Sequence, residues 1–150
     1  MNDLLRYSNH CNRLMQCSMQ PLRTELGISQ LEADLLLFLR NNPELNTARD
    51  AVTYRGFAKS NVSTAVESLK KTGWLSVEPD PSSRRIKRLM LRSEKETDIQ
   101  RLADRQAEVF QMLCSGFDSD EIEQLRSFLA RMDENAVNAF EKMEEERNNA

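Results

Sequence analysis

Ala58-Lys59-Ser60-Asn61-Val62-Ser63-Thr64-Ala65-Val66-Glu67-Ser68-Leu69-Lys70-Lys71-Thr72-Gly73-Trp74-Leu75 is the stretch on which the fold turns. Val62, Val66 and Leu69 recur at three- and four-residue steps, which predicts a helix from about Lys59 to Thr72 with one buried stripe. Gly73 follows as a residue able to end it in the left-handed conformation. The exposed side near the N-terminal end then holds Lys59, Ser60, Asn61, Ser63 and Thr64, which are cationic, short or hydrogen-bonding. Short polar side chains let a helix approach base edges, and a helix N-terminus attracts phosphate. Ser and Asn are equally ordinary in any first helical turn, so this face does not decide the matter by itself.

The residues that follow add weight. Two β-type runs, Trp74 to Glu78 and Ile86 to Leu91, flank Pro79-Asp80-Pro81-Ser82-Ser83-Arg84-Arg85, a rigid polar hairpin connection. Leu89 and Leu91 alternate with other residues as in a half-buried strand. Arg84, Arg85, Lys87 and Arg88 crowd one end of this hairpin. An arginine on a thin loop suits the minor groove, where the potential is most negative. Upstream, Thr47-x-x-Asp50 starts a short helix carrying Ala48, Ala51 and Val52, and Gly56 turns the chain. Helix, turn, helix, strand, hairpin and strand, in that order, make a winged helix-turn-helix.

Further out, Ser29-x-x-Glu32 caps a helix bearing Leu31, Leu35, Leu36, Phe38 and Leu39 that stops before Asn41-Asn42-Pro43. A first helix is expected from about Asp3 to Glu25, ended by Gly27 and kinked or broken at Pro21. Ser93-x-x-Glu96 reads as a capping box for a long helix with Ile99, Leu102, Ala103, Phe110, Leu113 and Phe117. Gly116 and Asp118-x-x-Glu121 mark a break and a restart. The last helix carries Ile122, Leu125, Leu129, Met132, Ala136, Phe140 and Met143 in near-heptad steps, and its polar tail from Glu144 to Ala150 should fray. The fold expected is mainly α, with a DNA-binding lobe at 28–93 and a helical dimerisation region at 1–27 and 94–150. The terminal stripes are wider than solvent-facing helices need, which favours a two-fold partner. The alternative is that they close on themselves within a monomer.

Charge supports the same division. The net charge is −3, yet Thr47 to Lys95 holds eleven Lys/Arg against five Asp/Glu, a balance of +6. The remaining residues hold ten against nineteen, a balance of −9. A basic middle on an acidic body is the footprint of a local phosphate-binding surface.

The quoted stretch, continued through Asp80-Pro81-Ser82-Ser83-Arg84-Arg85, resembles the MarR family of transcriptional regulators, and the flanking helices agree in length and order. The resemblance implies a homodimer on double-stranded DNA with a pseudo-palindromic operator, acting as a repressor. It implies that Lys59, Ser60, Asn61, Ser63 and Thr64 face the major groove and that Arg85 is the wing arginine, with Arg84 and Lys87 beside it. It also implies release by a small-molecule effector bound near the junction of dimer helices and DNA-binding lobe. Met15, Met19 and Met112 are candidate lining residues there, though core packing explains them as well. Two positions depart from the family: Ala58 replaces the usual capping Ser or Asp, and Ser83 replaces a common acid. For the oxidant-sensing branch, the resemblance puts the reactive cysteine where Leu5 stands, leaving Cys11 and Cys17 as weaker thiol candidates.

Other classes find little support. The single histidine, His10, precedes Cys11, and consecutive helical residues point about 100° apart, so a nucleophile–base pair is poorly served. No phosphate-cradling glycine loop or metalloprotease motif is visible, and the three cysteines match no metal-ligand spacing, so no enzyme, metal or cofactor is expected. No apolar run approaches a membrane span and no secretory signal is apparent, which predicts a cytoplasmic protein. Two alternatives stay open: a winged helix used for protein interaction, and a thiol-based redox-sensing regulator.

Overall fold

The computed structural model describes residues 2–148. Its first helix, α1 (Asn2–Leu26), ends where Gly27 takes φ 67°. There the Gly27 amide donates to the Thr24 carbonyl and the Ile28 amide to the Arg23 carbonyl. This pair of bonds satisfies two carbonyls that the helix end would otherwise orphan. Pro21 does not break α1, contrary to the expectation from sequence. Proline has no N–H for the carbonyl four residues back, and that residue is the exposed Cys17, where water can replace the lost donor.

α2 (Gln30–Asn41) and α3 (Ala48–Arg55) each start with a reciprocal cap. Ser29 accepts from the Glu32 amide while Glu32 accepts from the Ser29 amide, and Thr47 and Asp50 repeat the arrangement. Gly56, at φ 65°, closes α3 and turns the chain into α4 (Lys59–Lys71). Gly73 ends α4 with the same pair of bonds seen at Gly27, the Trp74 amide reaching the Leu69 carbonyl at 2.8 Å.

The two strands form one antiparallel hairpin, β1 (Leu75–Asp80) and β2 (Ser83–Leu91). Both are longer than the sequence suggested, and the connection shrinks to Pro81-Ser82. Pro79 pairs within β1 because β1 is an edge strand in this sheet, so its missing N–H need not serve a second neighbour. The register then jumps: Pro79 opposes Lys87 while Asp80 opposes Ser83, leaving Arg84, Arg85 and Ile86 without partners on β1.

A second correction follows β2. Ser93 does not box with Glu96; Ser93–Lys95 forms a single 3-10 turn, and the Ser93 hydroxyl bonds Glu94 instead. The Arg92 amide is held by the Trp74 carbonyl and the Lys95 amide by the Arg92 carbonyl, which draws the chain into the tighter turn before α5 (Glu96–Leu113). α6 (Ser119–Asn148) starts at the expected Asp118/Glu121 box. It stays helical through Asn148, so the tail expected to fray from Glu144 is helical to that point, and 149–150 lie outside the described residues.

The chain divides into two compact units, Met1–Phe110 and Gln111–Ala150. In the first, Met19 and Leu22 of α1 and Ile99 and Leu102 of α5 join the same buried cluster as Leu35, Leu36, Val62, Leu69, Leu75 and Leu89. This unit therefore exceeds the 28–93 lobe, because the lobe's core is completed by parts of both flanking helices. In the second unit, α6 is amphipathic but buries none of its described residues. The fold is mainly α with one two-stranded wing.

Candidate nucleic-acid interface

α4 is placed by its inner face. Val62, Ala65, Val66 and Leu69 are buried, and α4 packs against α2, α3 and β1. At 100° per residue, Ser60, Thr64, Glu67 and Lys71 then lie opposite the core, with Ser63 on one flank and Asn61 on the other. Lys59, Ser60, Asn61, Ser63 and Thr64 are all exposed. The Thr64 hydroxyl donates to the Ser60 carbonyl at 3.0 Å. Ala58 is extended at φ −64° and ψ 132° and gives no side-chain cap, so the first amides of α4 are unblocked by any side chain of that residue.

One flank of α4 borders a shallow cleft of about 260 Å³, lined by Asn61, Thr64, Ala65 and Ser68 and by Ser29 and Glu32 at the start of α2. Burial pushes the Glu32 carboxyl up, but hydrogen bonds from Ser68 and Ser29 more than offset this and hold it below its ordinary range. Glu32 stays ionised at neutral pH, tying α2 to α4 rather than serving a ligand.

The wing carries Arg84, Arg85 and Lys87 exposed at its tip, in and beside the three-residue segment that β1 leaves unpaired. None of these three makes an ion pair among the described residues. Arg88 differs from them. Its Nε donates to Asp80 Oδ2 at 2.6 Å and its Nη1 to Asn46 Oδ1 at 2.7 Å. The tip cluster is thus three cations rather than the four that the sequence suggested. Hydrogen bonds from the Ser82 hydroxyl, Arg88 and the Ser82 amide hold the Asp80 carboxyl down at about 2.

Sequence reasoning missed Glu67, which sits on the outward face of α4 with Lys70 at 3.6 Å, and missed the Asn46–Arg88–Asp80 group. The Asp80-Pro81-Ser82 turn was a visible sign that Asp80 would fold back on its own backbone. Asn46 gave none.

The remaining candidates are scattered. Met19 is in the core of the first unit with Met15 packed against it, whereas Met112 is exposed in the second unit. Cys11 is half-buried, Cys17 exposed and Cys114 buried, and no cysteine is paired. No group of three or more His, Cys, Asp or Glu among the described residues is arranged to hold a metal ion.

The sequence model of the MarR family matches residues 26–86, from the end of α1 to the wing tip. That stretch, less than half of the chain, is similar to the MarR family. No curated protein matches the chain by sequence. Among solved structures, the chain is similar to a putative MarR family transcriptional regulator from Listeria monocytogenes complexed with 26mer DNA. That match has a TM-score of 0.78 and 17% identity, and covers 91% of this chain and 89% of that one. It is similar to the transcriptional regulator SlyA at TM-score 0.77 and 19% identity, covering 93% and 97%. It is also similar to CouR from Rhodococcus jostii RHA1 bound to p-coumaroyl-CoA, at TM-score 0.70 and 18% identity, covering 87% and 88%.

Proposed function

We propose that the protein is a sequence-specific DNA-binding repressor of the MarR type that grips a pseudo-palindromic operator as a homodimer. The observation that carries this reading is the pairing of two exposed surfaces in one unit. One is the short-side-chain face of α4; the other is the wing tip, where Arg84, Arg85 and Lys87 are exposed and make no ion pair among the described residues. In this reading Lys59, Ser60, Asn61, Ser63 and Thr64 enter the major groove while Arg85, flanked by Arg84 and Lys87, follows the minor groove. The two-fold partner covers the exposed apolar side chains of α1 and α6, among them Leu4, Leu5, Leu129, Met132 and Phe140. Two copies of α4 then sit about one DNA turn, ~34 Å, apart.

Release by a small molecule is the further part of the proposal. Its support is the fold shared with CouR, which was solved bound to p-coumaroyl-CoA. A protein of this kind works where its DNA is, in the cytoplasm. No helix among the described residues is long and apolar enough to cross a membrane.

The test is a mobility-shift titration against genomic fragments over a salt series. Specific binding should weaken steeply with salt as counterions leave the phosphates. Arg85→Ala should lower affinity for every sequence and reduce the salt slope by about one unit. Absent binding at low salt would instead favour a protein partner for the wing and α4.

A further inference from the structure

The wing leaves Arg84, Arg85 and Lys87 exposed and is fastened through Arg88. The Arg88 guanidinium bridges Asp80, the last residue of β1, and Asn46 in the loop before α3. Asp80 is nearly enclosed, its side chain 5% exposed, and its other carboxylate oxygen accepts from the Ser82 amide at 2.8 Å and from the Ser82 hydroxyl. The backbone reinforces the junction: the Leu89 amide donates to the Asn46 carbonyl at 2.7 Å, and Thr47 bridges to Arg88. Thr47 is itself the cap of α3, which packs against α4. One side chain therefore joins both strands of the wing to the start of the helix-turn-helix. It does so directly beneath the point where the register jumps and Arg84, Arg85 and Ile86 leave the ladder.

We propose that Arg88 is a positioning residue, a strut that sets the angle between wing and α4 and does not itself touch DNA. This rests on the DNA-binding reading above. The geometry separates Arg88 from its neighbours. The guanidinium directs two of its donors, Nε and Nη1, at fixed protein acceptors, one of them an ionised carboxylate. Reaching a phosphate would require surrendering both bonds. Arg84 and Arg85 have no such bonds to give up. With the strut in place, the cationic tip is presented at a fixed offset from α4, so both can meet adjacent grooves without ordering the wing at the moment of binding.

Two conservative substitutions separate this role from a charge contact. Arg88→Lys keeps the positive charge but cannot reach both acceptors in the planar fork geometry. Asp80→Asn removes a negative charge from the wing, which by electrostatics alone would tighten binding to phosphate. The strut predicts that both weaken operator affinity, by about tenfold, the loss of roughly one charge-assisted hydrogen bond. It predicts that the slope of affinity against salt stays that of the unsubstituted protein. The double variant should be hardly weaker than either single one, since both cut the same link. Hydrogen exchange in the free protein should show the Leu89 amide losing protection in each variant.

Anisotropy titrations on one operator fragment, at temperatures where melting curves show every variant folded, provide the measurement. A slope reduced by about one unit in a further Arg88→Ala variant would overturn the proposal, because it would mean that Arg88 meets a phosphate. Asp80→Asn binding as tightly as the unsubstituted protein, or more tightly, would overturn it as well. Failure of the unsubstituted protein to bind any DNA would remove the DNA reading and this role with it. If the unsubstituted protein and Arg85→Ala behave as expected while Arg88→Lys binds normally, only the strut is wrong.

Discussion

The first unit and α6 use the same local grammar with opposite results. In the first unit the caps at Ser29 and Thr47 start helices that contribute to one buried core, and Leu35, Leu36, Leu69, Leu75, Ile99 and Leu102 are fully enclosed. α6 has an equally complete cap at Asp118 and Glu121, yet Phe128, Leu129, Met132, Phe140 and Met143 are each about half exposed or more. Capping fixes where a helix begins and says nothing about what covers it. The exposed apolar stripe of α6 is the surface that the proposed two-fold partner would cover.

The largest effect should come from breaking that stripe. Leu129→Glu with Phe140→Glu places two charges on the α6 face while leaving every buried residue of the first unit untouched. For the dimer proposed above, sedimentation should show conversion to monomer, and operator affinity should fall by about a hundredfold or more as two-site binding becomes one-site binding. Helix content by circular dichroism should change little, since both positions are already exposed. A variant that keeps the size and affinity of the parent would show that some other surface joins the copies.

How far the sequence could be read follows from the range of each interaction. The Ser29/Glu32, Thr47/Asp50 and Asp118/Glu121 boxes were legible because both partners lie three residues apart. Ser93/Glu96 had the same spacing and failed: Ser93–Lys95 closes into a 3-10 turn, the Lys95 amide on the Arg92 carbonyl and the Ser93 hydroxyl on Glu94. The α4 face was legible from the period of Val62, Val66 and Leu69 alone. The length of the wing was not, since Pro79 reads as a terminator until its place at a sheet edge is known. Arg88 was counted with the tip cations because its acceptor Asn46 lies 42 residues away, a distance no local pattern spans.

A smaller effect tests the comparison inside the first unit. α4 is the helix of the helix-turn-helix that starts without a side-chain cap, although Ala58 already has the extended backbone a capping residue needs. Ala58→Ser should add a cap worth about 1 kcal/mol. In a domain of this size that is a rise of roughly 2–4 °C in melting temperature. The same substitution in reverse, Ser29→Ala at α2, should cost a similar amount. If Ala58→Ser melts with the parent, the amides of α4 are already satisfied in solution.

The smallest effect concerns a charge the lobe holds at a disadvantage. Asp34 on α2 is largely enclosed, and burial pushes its carboxyl above the ordinary range despite the Gln30 hydrogen bond at 2.8 Å and the nearby charges of Arg55 and Arg23. A raised carboxyl binds its proton more readily folded than unfolded. Its ionised form therefore weakens the fold at neutral pH, and the penalty disappears as pH falls through the folded value to below the ordinary one of about 3.9. Asp34→Asn removes the ionisation while keeping an acceptor for Gln30. Urea unfolding should find the variant more stable than the parent at pH 7, with the gap closing toward pH 4. A gap of the opposite sign at pH 7 would mean that Arg23 and Arg55 outweigh the burial, and that α2 depends on this charge as it depends on Glu32.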